Sequence, residues 1–148
     1  RKIASEYARA VANYWELRRR GLSREEARYI LPQAIISKII VTMNAREILH
    51  FLGLRMCTHA QKEIRLVAWL LWRELMKIHP RLFKYAGPYC LIDNNLHSSK
   101  IYSLEDLLEG SIEFGIDRCR ELVPRNGIIK CVRHSYEVFR DYVNRFSG

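Results

Sequence analysis

The chain has 148 residues, enough for one domain with a substantial apolar core. Hydrophobic residues make up 49% and charged residues 28% of it, which excludes a disordered tail, and no apolar run of about 18 residues could cross a membrane. The formal net charge is +9. It is concentrated in residues 1–86, which hold 17 basic and 7 acidic side chains, so this half is expected to meet an anionic partner.

The cysteines and the first residues of the chain indicate the cellular compartment of the protein. No two cysteines form a Cys-x-x-Cys pair, and a chain of this size needs no disulfides, so a reduced, cytoplasmic protein without a bound metal is expected. Cys90, Cys119 and Cys131 could still meet in space, as a metal site or as a disulfide. The chain begins with arginine and has no signal-peptide pattern, and we expect further residues upstream.

The first elements in the chain are two helices. Residues 1–20 have apolar side chains at three- and four-residue spacings, which is typical of an amphipathic helix, and Gly21 ends it. Ser23, with a glutamate three residues later, forms a capping box. It predicts a second, short helix that stops at Pro32.

A strand and two longer helices are predicted next. Residues 34–43 are dense in β-branched side chains and predict a strand of about ten residues. Asn44, with a glutamate three residues later, is an N-cap pattern for a helix that runs through Leu54. Thr58 gives a further cap signal for the longest helix, over residues 59–78.

The pattern is weaker beyond residue 86. Residues 93–100 read as a polar loop, and Ser103 is a cap for a short helix. Asn126-Gly127 is a turn pattern, residues 128–132 could form a strand, and residues 135–146 have the spacing of a final helix. The fold class expected is α/β (α+β), mostly helical, with a central strand at about 34–43.

Candidate functional residues lie between positions 28 and 65. They are the polar side chains set among apolar anchors, namely Arg28, Asn44, Arg46, His50, Arg55, His59, Gln61 and Glu63. Asn44 is most simply an N-cap, although an N-cap also presents a helix N-terminus to a ligand. Arg28 late in a helix suits the helix dipole, whereas Arg46 in a first turn opposes it and so favours a function. His59 is interpreted as an exposed residue, and Arg55 as a surface cation or as a fork for phosphate or a planar heterocycle.

Four blocks of this stretch resemble a known family. They are Arg-Tyr-Ile-Leu-Pro (28–32), Val-Thr-Met-Asn-Ala-Arg (41–46), His-Phe-Leu-Gly-Leu-Arg (50–55) and His-Ala-Gln-Lys-Glu-Ile-Arg (59–65). In order and spacing they look like the C-terminal half of flavin-dependent thymidylate synthase, the ThyX family. The resemblance covers residues 1–86. Residues 87–148 are similar to the cysteine-bearing tail of some members, with an extra segment and a final helix.

The resemblance implies an activity and its cofactors. The family converts dUMP to dTMP, with methylenetetrahydrofolate as carbon donor, NADPH as reductant and FAD as the hydride relay. Its members are homotetramers whose active sites lie where subunits meet. Because the flavin supplies the hydride, no side-chain nucleophile is needed, and the sequence has no obvious Ser-His-Asp or Cys-His arrangement.

Residue roles follow from the matched positions. Arg28 corresponds to an arginine that contacts the dUMP phosphate. Arg55 corresponds to the arginine beside the pyrimidine, where its charge polarises the uracil ring, so it is both the substrate-binding and the catalytic candidate. The positions expected to contact FAD are Asn44, Ala45, Arg46, His50, Leu54 and His59.

One family motif is missing from the chain. The Arg-His-Arg signature with its spaced serines has no counterpart here, since Arg133-His134-Ser135 lacks the second arginine. We therefore expect the chain to be catalytically incomplete, with the missing N-terminal half upstream or on another chain. The alternatives are a non-catalytic relative that binds nucleotide or flavin, and a basic helical module that binds nucleic acid. Against nucleic acid, aromatics are not interleaved with the basic residues.

Overall fold

The computed structural model describes residues 2–33, residue 35 and residues 38–146. Its helices are α1 Lys2–Arg19, α2 Arg24–Arg28, α3 Ala45–Arg55, α4 Lys62–Ile78, α5 Pro80–Phe83, α6 Tyr89–His97, α7 Leu104–Glu109 and α8 Arg125–Phe146. The only β pairing in this described part is an isolated bridge between Arg118 and Pro124. The chain divides into two compact units, Arg1–Val41 and Thr42–Gly148. None of the described helices is both long and apolar enough to cross a membrane.

The first unit contains α1 and α2 and confirms both predicted helices, although α2 ends at Arg28 and does not reach Pro32. Gly21 follows α1 with φ of 93°, a backbone conformation that glycine adopts without strain. The predicted capping box is present, because the Ser23 hydroxyl accepts from the Glu26 amide and the Glu26 carboxylate accepts from the Ser23 amide. Ala27 is the one buried residue among those described in this unit, and Trp15 on α1 is 57% exposed.

The predicted strand at 34–43 lies partly outside the described residues, which omit 34, 36 and 37. Residues 35 and 38–43 belong neither to a helix nor to a strand. Ile39 and Ile40 are 82% and 98% exposed there, so their apolar side chains have no cover within the described structure. The described architecture is therefore mostly helical, and the α/β class stays a prediction.

The core of the second unit surrounds Trp69 on α4. The Trp69 ring stacks on Phe139 of α8, with centroids 5.7 Å apart and planes 17° from parallel. Its Nε1–H donates to the Ser135 hydroxyl at 2.9 Å, and that hydroxyl donates to the Met56 carbonyl at 2.8 Å. This buried chain of hydrogen bonds ties α4 and α8 to the end of α3, and every polar group in it is satisfied.

Two predictions about the last third of the chain were wrong. The supposed turn at Asn126-Gly127 and the supposed strand at 128–132 both lie inside α8, which begins at Arg125 directly after a proline. The buried positions recur at helical spacing, at Ile128, Val132, Ser135 and Phe139. A short run of β-branched residues cannot by itself distinguish a strand from one side of a buried helix.

The predicted polar loop at 93–100 was also wrong over most of its length, because α6 extends to His97. Its asparagine side chains form hydrogen bonds with the backbone of neighbouring loops. The Asn94 side chain accepts from the Gly115 amide at 2.7 Å, and the Asn95 side chain both accepts from and donates to the backbone of Tyr102. Polar side chains in α6 thus satisfy backbone groups that helix and sheet ladders leave unpaired.

Helix α4 begins three residues later than predicted. Thr58 does not cap it; Gln61 is the N-cap residue and forms no side-chain cap bond. Residues 57–60 form a turn instead, with the Ala60 amide donating to the Cys57 carbonyl. Arg65, which is buried, donates to the Thr58 carbonyl at 2.7 Å and so fixes this turn against α4.

Candidate functional site

One side of helix α3 presents three of the predicted flavin-binding residues. Arg46, His50 and Leu54 are four residues apart in succession, so they lie along one side of the helix, and all three are exposed. Leu52, on another side of the helix, is buried in the core, and so is Gly53, which lies beside the exposed side. The amphipathic spacing that anchors α3 is therefore what turns these three side chains outward. We call Arg46, His50 and Leu54 the α3 outer face.

The N-terminus of α3 adds two further predicted contacts. Asn44 caps the helix, since its Oδ1 accepts from the Glu47 amide at 2.9 Å. This confirms the cap prediction, and it commits that oxygen of the side chain to the helix. Ala45 begins the helix and is exposed. The first-turn amides of an 11-residue helix carry partial positive charge, which suits an anionic or electron-rich ligand.

Arg55 and His59 flank the other end of α3. Arg55 occupies its last turn and is exposed, and its side chain makes no hydrogen bond or ion pair with the residues that the structure describes. His59 lies in the turn held by Arg65, where its Nδ1 is 3.5 Å from a carboxylate oxygen of Glu121. Both partners are about half exposed, so this ion pair contributes little stability.

Arg28 belongs to the first unit. It is the last residue of α2, is exposed, and lines an open depression with Glu25, Tyr29 and Leu31. No hydrogen bond or ion pair engages its side chain within the described ranges. A free guanidinium beside an exposed tyrosine ring is chemically suited to a phosphate group.

The structure also reveals a residue group that the sequence analysis missed. The Tyr89 hydroxyl lies 2.5 Å from Nδ1 of His50, and the two rings meet edge to face. The Arg120 guanidinium packs over the Tyr89 ring, 3.6 Å from its centroid, and forms two hydrogen bonds of 2.7 Å with Asp93. A hint was present in Gly53, because a glycine inside a helix indicates that another group approaches its backbone closely.

The four cysteines line a single cavity of about 60 Å³ between α3, α6 and α8. This cavity brings Cys90, Cys119 and Cys131 together with Cys57, and all four are free thiols. Burial raises the pKa of both Cys57 and Cys90, so these two are neutral thiols at neutral pH. Within the described residues no group of histidine, cysteine or acidic side chains is arranged to hold a metal ion.

Comparison with known proteins connects these features to a family. Residues 1–81 match the family model described as thymidylate synthase complementing protein. Among curated relatives, the flavin-dependent thymidylate synthase of Aeropyrum pernix is 50% identical over 137 residues, covering 92% of this chain and 42% of the relative. Those of Sulfurisphaera tokodaii and Saccharolobus solfataricus are 45% and 44% identical, each over 92% of this chain and 53% and 54% of the relative.

These matches also define the extent of the similarity. The chain spans about half the length of the curated relatives it matches. Because they cover 92% of this chain, they reach beyond the family model into the tail. No solved structure matches the chain. With more than half of its residues matching the family model, the chain belongs to the thymidylate synthase complementing protein family.

Proposed function

We propose that the protein containing this chain is a flavin-dependent thymidylate synthase, which makes dTMP by reductive methylation of dUMP. The observation that carries the proposal is the α3 outer face, where the residues expected to contact FAD are exposed together in a chain whose relatives are named for that activity. Methylenetetrahydrofolate as carbon donor and NADPH as reductant complete the proposed reaction. This activity is assigned to the whole protein, since the chain spans only about half of its relatives.

The residues on and around α3 fit a flavin nucleotide. Arg46 offers a phosphate a cation that has no partner among the described residues. His50 offers a ring nitrogen for hydrogen bonding, and Leu54, 43% exposed, offers an apolar contact for a flat ring. Asn44 and Ala45 set the helix N-terminus beside them, and His59 lies beyond the C-terminal end of α3. When bound, FAD would supply the hydride relay between NADPH and the transferred carbon.

Arg55 is the proposed catalytic residue. Its guanidinium is permanently charged and free of partners among the described residues, so it can present a planar fork to the carbonyl edge of uracil. Negative charge that develops on the pyrimidine is stabilised by a fixed cation at that edge. In the first unit, Arg28 is proposed to hold the phosphate of dUMP through two parallel hydrogen bonds.

Assembly of the whole protein completes the proposal. Residues 1–86 would supply the ligand-binding half, residues 87–148 a supporting tail, and the upstream half would come from the same or another chain of a cytoplasmic homotetramer. The exposure of Ile39 and Ile40 supports burial of residues 34–43 against another segment, as a strand of an α/β fold. Such an exposed β-branched run is suited to pairing with a neighbouring strand edge.

The test is flavin content and dUMP-dependent flavin oxidation in the full-length protein. We expect a yellow preparation, and we expect Arg55→Lys to lower the oxidation rate about a hundredfold, because lysine keeps the charge but cannot form a fork. Arg81→Lys is the matched control, since Arg81 is an exposed arginine outside the proposed site.

Unchanged turnover in Arg55→Lys would remove Arg55 from the catalytic role. A colourless full-length protein that binds DNA in a salt-sensitive manner would instead replace the synthase by nucleic-acid binding.

A further inference from the structure

A contact between the tail and the α3 outer face joins two parts of the sequence that lie 39 positions apart. The Tyr89 hydroxyl and Nδ1 of His50 are 2.5 Å apart, a short hydrogen bond, and the ring centroids are 5.9 Å apart at 73°. His50 is exposed and is one of the predicted flavin contacts. Tyr89 therefore contacts the α3 outer face at His50.

Tyr89 is held by three features besides this bond. It opens helix α6 directly after Pro88. Its ring lies against the backbone of α3 at Gly53, so close that a Cβ there would be 2.9 Å from a ring carbon. The Arg120 guanidinium covers the ring and is itself fixed by Asp93, whose side chain is only 17% exposed. A ring restrained in this way has few alternative positions, so its hydroxyl is presented in one place.

The charge of Arg120 indicates the direction of the hydrogen bond. The Asp93 carboxylate raises the pKa of the Arg120 guanidinium, which therefore remains charged beside the phenol. A cation beside the ring makes its hydroxyl a stronger donor and a weaker acceptor. A neutral imidazole that accepts at Nδ1 must carry its proton on Nε2.

We propose that Tyr89 is a positioning residue that donates to Nδ1 of His50 and so fixes His50 as the Nε2–H tautomer. The outward nitrogen is then a hydrogen-bond donor that would be available to an acceptor atom of a bound flavin. The inference rests on the proposed function, because it deepens the role given to the α3 outer face. It assigns the tail a task in cofactor binding, through Tyr89, which lies outside the residues matched by the family model.

The first experiment determines which ring nitrogen of His50 carries the proton. Nitrogen-15 NMR of histidine-labelled full-length protein, with His50 assigned through a His50→Gln variant, should show Nδ1 unprotonated and Nε2 protonated. In Tyr89→Phe the two tautomers should exchange, whereas Tyr85→Phe, which removes a hydroxyl elsewhere, should leave the His50 signals unchanged. A proton on Nδ1 in the unsubstituted protein would overturn the proposal.

The second experiment measures FAD affinity by fluorescence titration. Loss of one hydrogen bond predicts that Tyr89→Phe weakens FAD binding about threefold to tenfold. The same substitution in a His50→Ala background should have no further effect, because Tyr89 acts through His50. An equal loss in both backgrounds would make Tyr89 a structural residue only and refute the inference.

A variant that leaves the tyrosine in place guards against misfolding as an explanation. Arg120→Gln removes the cation from the Tyr89 ring, and we expect it to weaken FAD binding in the same direction as Tyr89→Phe. If the unsubstituted protein binds no FAD, the proposed function itself fails. If it binds FAD normally with a proton on Nδ1 of His50, only the inference about Tyr89 fails.

Discussion

Replacing Gly53 by alanine tests how closely the tail packs on helix α3. The new Cβ would lie 2.9, 3.0 and 3.2 Å from three carbons of the Tyr89 ring, closer than carbon atoms pack in proteins. Overpacking of this kind costs about 1–3 kcal/mol, while alanine favours a helix over glycine by about 1 kcal/mol. We therefore expect Gly53→Ala to lower the free energy of unfolding by about 0–2 kcal/mol.

A second substitution should reverse the sign of the effect that Gly53→Ala has on the free energy of unfolding. In a Tyr89→Ala background the ring is gone, and Gly53→Ala should then stabilise the protein by about 1 kcal/mol through helix propensity alone. Urea unfolding, followed by the fluorescence of the buried Trp69, measures both differences. Stabilisation of equal size in both backgrounds would show that Tyr89 does not rest on the α3 backbone, and would refute the packing argument.

Three other substitutions or reactions test the second unit. Ser135→Ala should lower the free energy of unfolding by about 1–3 kcal/mol in urea, because it leaves the buried Nε1–H of Trp69 without an acceptor. In a mass-spectrometric time course at neutral pH, iodoacetamide should modify Cys90 more slowly than the half-buried Cys119, since burial raises the pKa of Cys90 and only the thiolate reacts; equal rates would contradict this. Hydrogen bonds from Ser103, the N-cap residue of α7, lower the pKa of Asp106. The stabilisation that the Asp106 carboxylate provides is therefore present at neutral pH and is lost as the pH falls through its folded-state pKa. Asp106→Asn should accordingly destabilise the protein at neutral pH and make little difference in strong acid, as measured by thermal unfolding.

Two contacts join the tail to the part of the chain that the family model matches. Tyr89 and Glu121 each contact one of the two histidines expected near the flavin. The tail therefore contacts the α3 outer face and the turn that follows it. Contacts of this kind leave no motif in the sequence, because their requirements are geometric.

Local chemistry made part of this fold predictable. The caps at Ser23, Asn44 and Ser103 each satisfy backbone amides within three residues, so their signals are complete in the sequence. The helical spacing of apolar residues over 1–20 predicted α1 as well, because this periodicity is also a local property of the sequence. The positions of Arg46, His50 and Leu54 on one side of α3 also follow from spacing alone.

Other features depended on packing partners that are distant in the chain. Residues 128–132 belong to a helix that buries Ile128 and Val132 on the same side as Ser135 and Phe139, whereas an apolar run of that length is compatible with either structure. Thr58 does not cap α4, since its hydroxyl is bonded to the Cys131 thiol and its carbonyl accepts from Arg65. Local propensity is worth tenths of a kcal/mol per residue, so tertiary contacts override it.

The sequence by itself determined the family, the basic character of residues 1–86 and the side chains offered by α3, since all three depend on residue identity and short-range spacing. Only the tertiary structure brought Tyr89 into contact with His50 and placed four cysteines, separated by up to 74 positions, around one cavity. These contacts arise where α3, α6 and α8 pack together. No local pattern specifies them, because each depends on the angle and register at which whole helices meet.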